Sequence, residues 1–430
     1  MFLAIPFVYV LNVLFWSKLG SVLKDIIREA GIKRDEWTVY ACICLLFCVF
    51  IAYCFLKSQA FYGTRFLVDI IYTSDSPKLL KTNVFIVIDH IENDLRQPLF
   101  AIFAAPLMGI PSFLGEIIPG IPRALFIAFF QFILLMFSAF LLARALELSK
   151  VQRICFIVFS SLTYTYILFS IMIDQYVVAF FWLALTVYLM VKGKKYALLS
   201  SFAASGTLLT SGALVPFILI PKEKSGRSYK NWFINMLLYG FDFILLLLLS
   251  DRFHVLWNSV KNLNILIKFT GTKLGLNSRV LQYINYVSSC FFAPAAAVKQ
   301  LQEGHSSWQL SEVTSVNYLG IILFVISVIG FIVTRRAKIS QIAFGWLCFS
   351  IAVLVLAGWG TSENGLILYA LYFGWPFSVL IFNLLKAVEH KTKTTWITPV
   401  ATVISGVVLL IVNIPGMIDL VKFAVSEYPV

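Results

Sequence analysis

What most constrains this chain is its succession of long apolar runs. Residues 38–57, 124–143, 154–172, 177–191, 231–250, 318–334, 339–358, 365–385 and 396–412 are nearly free of charge, and 196–220 is apolar but interrupted. A helix needs about 20 apolar residues to cross a hydrocarbon core about 30 Å thick. Within lipid, only helices and closed barrels satisfy every backbone group. The composition agrees, with 60% hydrophobic and 13% charged residues and a mean hydropathy of +0.89. Soluble domains carry about 45–50% and about 25%. The expected fold is all-α: a polytopic transmembrane helical bundle of about 10–13 spans, forming one integral membrane domain over residues 1–430.

Charge sets the expected orientation. The net charge of +13 does not point to nucleic acid, because the basic residues sit in short loops between apolar runs, as the positive-inside rule requires. Lys18, Lys24, Arg28, Lys33 and Arg34 precede the first main run. Arg144, Lys150 and Arg153, then Lys192, Lys194 and Lys195, then Arg335, Arg336 and Lys338, then Lys386, Lys391 and Lys393 mark further inner loops. Two large outer loops are left, 58–122 and 251–316. Within the first, 98–119 is broken by Pro106, Pro111 and Pro119 and reads as helices lying along the membrane surface or dipping into it, not as a clean crossing. Both flanks of 196–220 are basic, so this run reads as two short helices, in and back, lining a cavity. The seven cysteines form no disulfide framework, since six lie in apolar runs and only Cys290 falls in a large loop. Residues 1–16 are apolar but lack a basic leader and a small-residue cleavage site, so they read as a short span or an interfacial helix rather than a cleaved signal.

The polar stretch 73–100 stands out against this background, with Asp75, Asp89, His90, Glu92, Asp94 and Arg96. With the orientation above, these residues, Asp174 and Glu363 all fall on the outer side, where acids at several helix ends can converge on one cavity. The alternative for each residue is a solvated loop, and Asp75-Ser76-Pro77 is also ordinary helix-start chemistry. Asp89, Glu92 and Asp94 offer hard oxygen ligands for a divalent cation, but D-x-x-E-x-D spacing spreads them around a helix. Arg96 and Arg123, and Lys261, Lys268, Lys273 and Arg279 in the second loop, suit phosphate or anionic headgroups.

The order of motifs resembles the GT-C class of integral membrane glycosyltransferases, including the protein O-mannosyltransferase and aminoarabinose-transferase families. Asp75 follows the first main span, Gln97-Pro98-Leu99-Phe100 is similar to an "(H/Q)P-L" opening of surface helices, and Pro122-Arg123-Ala124 to the turn that begins the next span. Thr73-Ser74-Asp75-Ser76-Pro77-Lys78 resembles a "D-T-D-T-P-R" element of bacterial GT-C-like proteins. Ile173-Asp174-Gln175-Tyr176 resembles "P-E-x-Y", Gly206 to Ser211 "G-I-T-L-T-N", and Glu363 to Ala370 "E-x-F-L-Y-S-x-H". The resemblance covers most of 60–385. It departs from the pattern at Gln97 and Asp174, and at Tyr372, near where a histidine is expected.

The resemblance implies transfer of a sugar from a polyprenyl-phosphate carrier to a cell-envelope glycan, lipid or protein acceptor. The reaction would occur on the outer face of a plasma membrane, in a bacterium by that likeness. Asp75 would be the general base toward the acceptor hydroxyl, Arg96 or Arg123 a phosphate contact, and Asp89, Glu92, Asp174 and Glu363 substrate-binding groups. No metal ligand set is assigned, and a divalent cation stays an open option. The rival readings are a lipid-linked glycan flippase or transporter, suggested by the broken helices, and an envelope polysaccharide polymerase or ligase.

Overall fold

The computed structural model describes residues 17, 20–28, 34–63, 70–72, 74–87, 97–118, 121–194, 196–220, 226–261, 267, 270–271, 274–300, 304–362 and 365–430. Among them the chain is an all-α bundle with one small hairpin. The helices are α1 (Arg34–Lys57), α2 (Ser76–Thr82), α3 (Phe100–Ile117), α4 (Arg123–Ala145), α5 (Lys150–Leu162), α6 (Tyr164–Ile171), α7 (Tyr176–Val191), α8 (Ala197–Thr207) and α9 (Val215–Ile218). They continue as α10 (Gly226–Leu249), α11 (Phe253–Lys261), α12 (Leu276–Ser289), α13 (Tyr318–Thr334), α14 (Lys338–Ile351), α15 (Ala370–Thr392) and α16 (Ile397–Glu427). Strands β1 (Ala296–Gln300) and β2 (Ser306–Leu310) pair antiparallel between α12 and α13.

Among the described residues six helices are long and apolar enough to cross a membrane, seven if the bent pair α5–α6 counts as one span. This is a multi-pass membrane protein, and among the described residues several apolar runs form helices shorter than a full span. Helices α7 and α13 are apolar but only 16 and 17 residues long. The bundle is built around α7, whose residues Tyr176 to Met190 are all buried. Helices α4 and α8 flank it, and α14 and α15 also pack on it. Lipid tails are as apolar as leucine, so close packing and satisfied polar groups hold such an interior together more than the hydrophobic effect does.

The short basic loops gather at one pole. Arg153 makes a two-pronged ion pair with the fully buried Glu36, at 2.9 and 2.8 Å, and Lys150 pairs with Asp35. Lys192 reaches Glu147 at 2.6 Å, and its hydrogen bond holds that carboxyl below the usual value. Lys386 donates to the Leu146 carbonyl and Lys338 to the Met190 carbonyl. Glu389 accepts from Gln152 and from the Thr398 N–H. Each bond caps a helix end or neutralises a charge, so this pole is knit by its own sequence.

Where helices break, side chains satisfy the freed backbone. Thr163 is extended, and α5 and α6 meet at 62°. Asn413 of α16 donates to the Leu162 and Phe291 carbonyls and accepts from the Ala293 N–H. Leu208 interrupts α8, and the following 3-10 turn, Leu209–Leu214, is met by the Tyr372 hydroxyl, 2.7 Å from Ser211 and 3.1 Å from Thr210. The broken run 196–220 is thus sealed by a buried tyrosine at this point, where the sequence suggested a cavity.

Two proline-bearing segments also differ from expectation. Residues 100–117 are one helix through Pro106 and Pro111. Trp182 donates to the Phe103 carbonyl in the turn that Pro106 disturbs, which offsets part of the lost bonding. Helix α16 runs on through Pro415 to Glu427, a length of about 46 Å at 1.5 Å per residue. It therefore outreaches a hydrocarbon core of about 30 Å.

Candidate functional site

The opposite pole is assembled around the short helix α2. Pro77 near its start is preset for a helical first turn, and Asn83 ends it in a left-handed conformation. Three of the residues singled out from the sequence come together here. Asp75 stands at the helix start with a half-exposed carboxylate, 36% accessible, 3.5 Å from the Lys78 ammonium. It makes no side-chain cap bond, so its carboxylate is not committed to holding the helix. One residue on, the Ser76 hydroxyl donates to the Ile173 carbonyl at 2.6 Å, which fastens α2 beside Asp174. At the other end, Arg123 donates to the Leu80 carbonyl. Asp75, Arg123 and Asp174 therefore surround one helix although they are distant in sequence.

Asp174 is 3% exposed. Its carboxylate accepts from the Tyr176 N–H at 2.9 Å and orients the start of α7, while its own carbonyl accepts from Gln131 at 2.6 Å. The carboxylate that the sequence offered as a substrate group thus positions the start of α7. Asp89, Glu92 and Arg96, with His90 and Asp94, and Glu363 lie outside the described residues. Among the described residues no three His, Cys, Asp or Glu side chains form a metal-binding group.

Three buried amides near α2 have a polar atom without a hydrogen-bond partner among the described residues: Asn83 Oδ1, Gln97 Nε2 and Gln131 Oε1. Gln97 is 5% exposed. Its neighbour Leu99 donates to the Gly206 carbonyl, and Arg252 donates to the Pro98 carbonyl. The Phe85–Phe100 ring contact ties the segment after α2 to the same corner. Native interiors leave few such groups unpaired, so a cluster of them marks a place where a polar ligand or water is needed. The amides escape sequence reading because an unpaired atom is a property of three-dimensional packing.

A second layer leads away from α2. Tyr72 has a φ of 50°, strained for a bulky residue. Its hydroxyl meets that of Tyr164 at 2.7 Å and accepts from Trp308 at 3.1 Å, and burial raises its pKa to about 12. Tyr176 packs edge-on against Tyr369, which accepts from Trp359 Nε1 at 2.9 Å. Behind Tyr369 lies a cleft of about 610 Å³, bordered by α12 and residues 310–319 and lined by amides and hydroxyls such as Asn285, Ser288 and Thr314. Arg279, a phosphate candidate from the sequence, instead caps the Val355 and Leu356 carbonyls at 3.0 and 2.7 Å. Lys261 lies over the Trp257 ring at 5.4 Å.

One acid inside a span was passed over in the sequence. Asp242 lies in α10 and is exposed. A carboxylate facing lipid near mid-bilayer costs about 2.5–3.5 kcal/mol on insertion scales. Its signal was available: it is the one carboxylate in the run 231–250.

No family model matches this chain, and neither a curated protein nor a solved structure matches it.

Proposed function

We propose that the protein is a membrane-embedded glycosyltransferase that takes a sugar from a polyprenyl-phosphate carrier and passes it to a cell-envelope acceptor. The observation that carries this reading is the convergence of Asp75, Arg123 and Asp174 on α2, at the pole opposite the basic loops. In this mechanism the Asp75 carboxylate accepts the proton of the acceptor hydroxyl as that oxygen attacks the anomeric carbon. The phosphate leaves with its electron pair, so it needs charge stabilisation rather than protonation. Lys78 stands 3.5 Å from Asp75, and Arg123 holds the Leu80 carbonyl at the other end of α2. A guanidinium suits two-pronged phosphate contact and an ammonium a point charge. The unpaired amides of Asn83, Gln97 and Gln131 supply donors and acceptors of the kind that sugar hydroxyls use.

The test is envelope glycan composition by mass spectrometry in wild-type, deletion and complemented strains. Loss of a sugar on deletion is expected. Complementation with Asp75→Ala at normal abundance is expected to leave it lost, with transfer reduced at least about 100-fold, the scale of general-base catalysis. Full restoration by Asp75→Ala removes Asp75 from the role of base. An unchanged glycan profile on deletion favours the transport reading.

A further inference from the structure

Helix α10 stands at the edge of the bundle and buries only 17% of its apolar window. One face is anchored: Tyr239 meets the Ser205 hydroxyl at 3.0 Å and stacks on Phe202, Trp232 donates to the Pro216 carbonyl, and Phe243 and Leu247 are buried. A different stripe is polar and exposed. Asn231, Asn235 and Asp242, with Leu238 between, follow the i, i+4, i+7, i+11 spacing of one helix face, and all four are exposed. Among the described residues, none of the three polar side chains has a hydrogen bond or ion pair. From Ser228 at the inner end, Asn235 lies about 11 Å and Asp242 about 21 Å along the helix, both within a core of about 30 Å.

Polar side chains at these depths face protein or water, not lipid. Exposed leucines away from the stripe, such as Leu237 and Leu248, suit lipid as they stand. The stripe is therefore an incomplete interface. We propose that it pairs with the same stripe of a second copy of this chain, forming a parallel two-fold dimer through α10. Both copies insert with one topology, so a two-fold axis along the membrane normal sets each stripe residue opposite its own mate. The stripe is self-complementary. An amide carries both donor and acceptor, so Asn231 and Asn235 each pair with their counterparts. Asp242 lies on the same line, opposite its own mate. This inference does not depend on the transfer chemistry at α2.

The test uses the full chain in liposomes at low protein-to-lipid ratio, with subunits counted by single-molecule photobleaching and a Leu238→Cys variant treated with a thiol crosslinker. Wild type is expected as a dimer, with Leu238→Cys crosslinking at least ten-fold faster than Leu248→Cys on the lipid side. Asp242→Asn, which adds a third amide pair, is expected to stay dimeric. The variant combining Asn231→Leu, Asn235→Leu and Asp242→Leu is expected to be monomeric, with a Kd raised at least ten-fold and an unchanged melting temperature. Each substitution favours lipid exposure, so folding is retained. Monomeric wild type at all dilutions, as a partner of another kind or lipid alone on the stripe would give, overturns the proposal. So does equal crosslinking at 238 and 248, or a dimeric triple-leucine variant.

Discussion

Tyr72 shows how a single residue ties the candidate site to the rest of the pole. It holds a left-handed backbone three residues before Asp75, its N–H donates to the Trp308 carbonyl, and the Trp308 N–H returns to the Ile70 carbonyl. Strain of this kind persists only where surrounding contacts over-determine it. Because burial raises its pKa from 10.0 to about 12, the unfolded chain loses the tyrosine proton first as pH rises. Stability from the buried phenol is fully present below pH 10 and is lost as pH climbs toward about 12. Thermal unfolding between pH 8 and 11.5 should show a steeper alkaline decline in wild type than in Tyr72→Phe, with a difference on the order of 2 kcal/mol. Parallel curves would remove the titration from the account. Asp75 was legible in the sequence because a carboxylate before Ser-Pro in a polar stretch is conspicuous. Asn83 and Gln131 were not, because they look like any other polar residues until packing isolates them, and Gln97 stood out only through its motif.

At the scale of elements, the joints matter more than the rods. The apolar runs announced where helices lie, since hydrocarbon forces backbone bonds inward. They did not announce where helices bend, because the partner of a freed carbonyl sits far away in sequence. Asn413 is the clearest case: it lies just past the last apolar run, 396–412, yet it serves three backbone groups at the α5–α6 break and the turn after α12. Asn413→Leu leaves those groups buried and unpaired, at about 1–3 kcal/mol each. Thermal unfolding in detergent is expected to show a loss of about 3 kcal/mol or more. A loss under about 1 kcal/mol would mean that other groups hold the break. The prolines of α3 misled for a related reason: a proline removes one bond, and a packed helix absorbs that loss, as α16 does at Pro415.

The whole molecule has two chemically distinct poles. One gathers the short-loop basic residues Lys150, Arg153, Lys192, Lys338 and Lys386, paired with Asp35, Glu36 and Glu147 or capping helix carbonyls. The other gathers Asp75, Arg123, Asp174 and the tyrosine–tryptophan layer. This division was readable from the alternation of basic and acidic loops, and the packing of the second loop was not, since α12 and the hairpin follow no membrane periodicity. The reading as an outer-face transferase requires that the α2 pole face outward. Cysteine accessibility tests this directly, in a background lacking the exposed Cys42 and Cys348. Lys78→Cys beside Asp75 and Glu147→Cys at the basic pole are labelled in intact cells with a membrane-impermeant maleimide. The account predicts that Lys78→Cys is labelled at once and Glu147→Cys only after permeabilisation. Labelling of both from outside, or of Glu147→Cys alone, would contradict it.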